Sequence, residues 1–141
     1  MQIEDYIENT ALEVDPLITF EHGNLSFLNE LDSVNFPVCY LEPIVSSDTF
    51  NQAGYLKEVY SVRILFAGKS QLDWKYKQHN VVINSMRVLS RAFLGKIQKD
   101  TENVLSISNI RRTTGINVSD INITGIYMQL EIELSNNNTN C

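Results

Sequence analysis

The chain has 141 residues, 43% of them hydrophobic and 20% charged, with a formal net charge of −6. That length suits one domain able to bury roughly 68–70% of its unfolded surface without metal or disulfide staples. The acidic balance excludes a surface built to grip nucleic-acid phosphates or an anionic membrane, and no apolar run approaches the ~20 residues that cross a bilayer.

Ile3, Tyr6, Ile7, Ala11 and Val14 recur at helical spacing, which predicts an amphipathic helix over residues 2–14. Glu4, Asp5 and Glu8 suit the positive end of its dipole. Asp15-Pro16 stops it, because the residue before a proline avoids the helical region. Residues 17–21 read as a short strand, His22-Gly23-Asn24 as a turn, and residues 25–31 as one or two helical turns. The stretch FPVCYLEPI, residues 36–44, is a strand bounded by Pro37 and Pro43. Neither proline donates to a ladder, so this strand is expected at an edge or paired only over its middle. Residues 46–57 are polar, carry Gly54 and lack periodicity, which predicts an exposed loop long enough to be functional or mobile.

Residues 58–67 alternate cleanly, with Tyr60, Val62, Ile64 and Phe66 on one face, Ser61, Arg63 and Leu65 on the other, and Gly68 at the end. Ser70 with Asp73 resembles a capping box. It would open a long helix over residues 71–97, about 40 Å at 1.5 Å per residue. Its stripe is Val82, Met86, Leu89, Phe93 and Ile97, widened by Val81, Val88 and Ala92. Trp74 and Tyr76 fit either its start or a loop packed on the sheet.

Residues 99–103 form a polar link to a strand over 104–113, irregular at Ser108-Asn109, and residues 114–120 a turn. In residues 121–134, Ile126, Met128, Leu130, Ile132 and Leu134 alternate with Tyr127, Gln129, Glu131 and Glu133. Extended, that segment spans roughly 46 Å, long for a domain of this size. Either Gly125 bends or bulges it, or the hairpin protrudes. The chain therefore reads as α+β: an antiparallel or mixed sheet packed by an N-terminal helix and one long amphipathic helix, with a long C-terminal β-hairpin. Residues 1–134 make one domain and 135–141 a disordered tail.

Little in the sequence suggests chemistry. His22 and His79 lack partners at ligand spacing and are expected as a turn residue and a helix-surface residue, not metal ligands. Gly54, Gly68, Gly95, Gly115 and Gly125 stand alone, so no loop cradles a phosphate. Cys39 lies in an apolar strand and Cys141 at the C-terminus, so both thiols are expected unpaired in a reducing cytoplasm. The opening MQIEDYIENT, without basic and apolar signal-peptide regions, points the same way. No enzyme activity, cofactor or metal is expected; the protein should work by fitting against other proteins.

Candidate contact residues follow from charge and exposure. Arg87 and Arg91 are an (i, i+4) like-charge pair, destabilising unless an acid lies near. That acid is expected to be Glu131 or Glu133 of the same subunit, or one on a neighbour. Arg111-Arg112 precede the hairpin turn, as a solvated tip or an intersubunit salt-bridge anchor. Tyr127, Phe50 and Tyr55 complete the set with Glu131 and Glu133.

The order helix, short strand, F-x-H-G turn, Leu-Asn segment, F-P-V strand, Y-x-V strand, long helix and terminal hairpin resembles small structural proteins of tailed bacteriophages. The matching pieces are Phe20-Glu21-His22-Gly23, Leu28-Asn29, Phe36-Pro37-Val38, Tyr60-Ser61-Val62 and Asp120 through Gly125-Ile126. The chain is most similar to the tail-completion or tail-terminator group of the virion neck, through a pattern of elements over most of its length. That resemblance implies a homo-oligomeric ring, commonly a hexamer, assembled in the host cytoplasm. The ring would halt the tail tube, dock to the head connector and pass DNA through its lumen without specific binding. Six copies would sum to about −36, which repels DNA. The alternative is a cytoplasmic α/β regulatory or small-ligand-binding module with a pocket between the long helix and the sheet, around Trp74 and Tyr76.

Overall fold

The structure, a computed structural model, describes residues 2–23, 36–50, 54, 56–118 and 122–135. The helical turns expected at 25–31, candidate residue Tyr55, Cys141 and nearly all of the expected tail lie outside the described residues. The architecture is α+β, two helices on one face of a mixed six-stranded sheet.

Helix α1, Ile3–Val14, buries Ile3, Tyr6, Ile7, Thr10 and Ala11 and ends at Asp15, whose backbone is extended. Helix α2, Tyr76–Lys99, starts later than the expected capping box implies. Gln78 caps it instead, its Oε1 accepting from the Lys75 N–H at 2.7 Å. The Ser70 hydroxyl lies 2.8 Å from Asn117 Oδ1 and 2.9 Å from Asn122 O, so it ties down the C-terminal hairpin rather than a helix. The buried stripe of α2 is His79, Ile83, Met86, Ser90, Phe93 and Ile97. Val82 and Leu89 flank it, whereas Val81, Val88 and Ala92 are exposed. The expected stripe was off-centre because the true one contains two polar residues. His79 is thus buried, not on the helix surface: its Nδ1 is 3.0 Å from Thr124 Oγ1, and Trp74 meets its ring edge-on.

The strands are β1 Thr19–His22, β2 Val38–Leu41, β3 Val45–Phe50, β4 Leu56–Lys69, β5 Val104–Val118 and β6 Ile123–Leu134. Their order is β1-β2-β4-β6-β5, with β3 also on β4. Among the described residues β1–β2 is the parallel pair, and the other pairs are antiparallel. β2 is not an edge strand; it lies between β1 and β4, paired only over the middle of the proline-bounded segment. β3 follows β2 along the same side of β4, the pairing moving from Leu41↔Ile64 to Val45↔Ser61 across Pro43.

Residues 45–50 therefore form one arm of a β3–β4 hairpin, where an irregular loop was expected over 46–57. All six β3 residues are exposed, so neither face carries the apolar alternation by which a strand is read.

β6 is central. Its register with β4 runs unbroken from Tyr60↔Ile132 to Lys69↔Ile123, so Gly125 neither bends nor bulges it. The strand is long because β4 and β5 flank it along its length, and this hairpin does not protrude. Gly125 is needed for close approach, since a Cβ there would lie 1.9 Å from Phe66 O. The irregularity falls on β5, which carries an extra residue at each of three register shifts. Asn109 and Asn117, at two of them, have φ of 53° and 48°, a region Asn tolerates. The break expected at Ser108-Asn109 is present, but the strand continues to Val118, through most of the expected turn.

The core lies between the helices and one sheet face, where Ile7, Ile64, Phe66, Phe93, Ile97, Met128 and Ile132 are buried. Phe66 and Phe93 meet edge to face at 5.5 Å. A smaller cluster of Val38, Tyr40, Leu65, Ala67 and Ile123 occupies the other face. Cys39 is fully buried, which pushes its thiol pKa up and leaves it a packing group. Among the described residues no helix is long and apolar enough to cross a membrane.

Candidate functional site

The outer edge of β5 has no neighbouring strand among the described residues, and most of the strand is exposed. Arg112, in register with Met128, points to the helix-covered face and donates from Nε to Ser90 Oγ at 3.3 Å. Ser90 in turn donates to Arg87 O at 2.8 Å. Partial burial, then repulsion from Arg91 and Arg87, holds the Arg112 pKa below the usual arginine value. Three guanidinium groups thus gather where α2 meets β5. The ion pairs among the described residues are Lys57–Glu133, Arg63–Glu42 and Lys96–Glu13, so no described acid pairs with this cluster. Beside it an open groove of about 350 Å³ runs between α2 and β5, lined by Leu94, Val104, Leu105, Ile107 and Ile110. Leu105 is 62% exposed and Ile110 45%.

The β3–β4 hairpin carries the opposite charge. Asp48 lies directly across from Glu58. Glu58 accepts a hydrogen bond from the Tyr60 hydroxyl. Burial, that bond and the charges of Glu58, Glu4 and Asp48 push the Tyr60 pKa up to about 12. Glu58, Asp48 and Glu4 thus all act on one phenol, and none of the three is in an ion pair among the described residues. Val45 and Phe50, at the two ends of β3, are largely exposed.

The other candidates separate. Arg111 and Arg112 sit in mid-strand, paired with Gln129 and Met128, not at the hairpin tip. Adjacent strand residues face opposite ways, so Arg111 lines a shallow groove on the far sheet face with Ser61, Asn109, Gln129 and Glu131. Glu131 accepts from Asn109 Nδ2 at 2.7 Å, and Glu133 pairs with Lys57 at 3.4 Å. Both are on that far face, so neither is the counterion expected for Arg87 and Arg91. Tyr127 packs under the Arg63 guanidinium, 4.2 Å from its ring centre, and Arg63 holds Glu42 at 2.9 Å. Tyr76 is exposed, and Trp74 meets the His79 ring edge-on.

Sequence reasoning missed Glu4, Asp48 and Glu58. The available signal was the hairpin pattern VSSDTF–NQAGY–LKEVYS, two strand-like runs around a five-residue loop containing glycine. Among the described residues no group of three His, Cys, Asp or Glu side chains is placed to hold a metal ion. No protein-family model matches the chain, and no curated protein matches it.

Proposed function

We propose that this chain is a structural subunit of a tailed bacteriophage. Copies join edge to edge into a ring at the head-proximal end of the tail, which ends the tail tube and meets the head connector. The observation that carries the assembly part of this reading is the β5 edge, unpaired among the described residues and exposed along most of its length, with apolar side chains and an arginine cluster that no described acid pairs with beside it. The β5 bulges and the charges of Arg111 and Arg112 blunt this edge against indiscriminate pairing, which leaves its exposed apolar side chains and clustered arginines to a partner of matching shape and charge. The neck location rests on the resemblance in element order described above.

The test is to add the purified protein to polymerising tail-tube protein from the same genome. Tubes of limited length with a ring at one end support the reading. Unrestricted growth with no protein bound to tube ends would overturn it. A second arm removes residues 47–56: tails that still attach to heads would take the β3–β4 hairpin out of the account.

A further inference from the structure

We infer that the arginine flank of one copy docks against the carboxylate flank of the next, head to tail, with the outer edge of β5 continued by the neighbour's β3. This rests on the ring-forming reading and names its contact. Arg87, Arg91 and Arg112 form a positive cluster with no acidic partner among the described residues, in a chain of net charge −6. Asp48, Glu58 and Glu4 form a carboxylate cluster with no basic partner among the described residues. Like charges set directly opposite one another destabilise a sheet, and an opposite cluster relieves both. The two clusters lie on different flanks: β4 and β6 separate β3 from β5, roughly 14 Å at about 4.8 Å per strand step.

Direction and facing both agree with the pairing. Strands β3, β4, β6 and β5 alternate in direction, so β3 of an identically oriented copy lies antiparallel against the outer edge of β5. Arg112 is on the helix-covered face with Met128. Asp48 shares its side with Glu58 and hence with Tyr60, which packs against the same core. A sheet continued across the boundary keeps its faces; Arg112 is level with Ile64 and Asp48 with Glu58, so the two charge clusters meet when the neighbour is offset along the strands by six residues, roughly 20 Å. Ile110 on one flank and Phe50 on the other add apolar surface that becomes buried. A foreign acidic protein would answer the arginines and leave the β3 carboxylates unanswered; a second copy answers both. Unlike patches on opposite flanks make a heterologous contact, the kind that closes into rings.

The test uses two full-length variants, Arg87→Glu with Arg91→Glu and Asp48→Lys with Glu58→Lys. Native mass is measured by light scattering for wild type, each variant alone and an equimolar mixture; circular dichroism checks that each variant is folded. Wild type is expected to assemble, each variant alone to stay monomeric, and the mixture to assemble again, native and reversed flanks meeting at alternate boundaries. If either variant alone assembles like wild type, or the mixture stays monomeric while wild type assembles, this contact is wrong and the ring reading stands. A wild-type monomer at every concentration overturns the contact and counts against the ring, leaving the arginines to a foreign acidic partner. Should a variant misfold, the salt dependence of wild-type assembly decides: high salt is expected to dissociate it, and salt-insensitive assembly overturns the contact.

Discussion

Gly125 has the least freedom of any glycine in the sheet, because the space for its Cβ is taken by the β4 backbone. Gly125→Ala must push β4 and β6 apart and is expected to cost about 3 kcal/mol or more, read from chemical denaturation. Gly95→Ala is the internal control. Gly95 lies within α2 with open space around its Cβ position, and the change should stabilise by about 0.5–1 kcal/mol. Equal effects at the two sites would contradict the packing described. Tyr6 donates to Asp100 Oδ2 at 2.8 Å, tying α1 to the end of α2. Burial alone would raise the Asp100 pKa, but hydrogen bonds from Asn103, Tyr6 and the Asn103 and Glu102 backbone outweigh it and leave the value lowered. A carboxylate with a lowered folded pKa stabilises above its unfolded pKa, near 4, and that contribution disappears as pH falls through the folded value. Tyr6→Phe should cost about 1 kcal/mol. The stability gap between wild type and Asp100→Asn should stay constant above about pH 5 and shrink below about pH 4. A gap independent of pH down to acid unfolding would contradict this.

At the scale of elements, the β3–β4 hairpin separates stability from assembly. Every β3 residue is exposed, so replacing residues 46–57 with a short polar linker takes no β3 side chain out of the core. The shortened chain should keep its helical signal and lose no more than about 1 kcal/mol, while losing assembly measured by light scattering. Loss of folding would show that the hairpin belongs to the core. The same element explains how much of the fold was legible in sequence. α1, β4 and β6 each bury one face against the core, and burial imposes the periods that a reader detects. β3 buries neither face and left no period; the pairing that orders it comes from β4. In α2 the period was visible but its centre was misplaced, because His79 and Ser90 hold buried positions through partners on β6 and β5. The interaction residues divided in the same way. Arg87 and Arg91 stood out as a like-charge pair and Arg112, with Arg111, as preceding the hairpin turn; Arg87, Arg91 and Arg112 gather on one flank, and Arg111 faces the other way. Glu131 and Glu133 were equally conspicuous, but strand register places them on the far face with partners of their own.

For the whole molecule, the outer edges of β3 and β5 have no neighbouring strand among the described residues and unlike charge beside each, in a chain whose acids outnumber its bases 17 to 11. A second copy satisfies both sides, and repeated head to tail the same contact either closes or makes a filament. The neck reading requires closure. The most direct measurement is the native mass of the purified full-length protein by light scattering, with electron micrographs of the same fraction. A closed ring of about six subunits, dissociating as salt is raised, is the predicted result. A monomer at every concentration, or an open filament of indefinite length, would contradict the account.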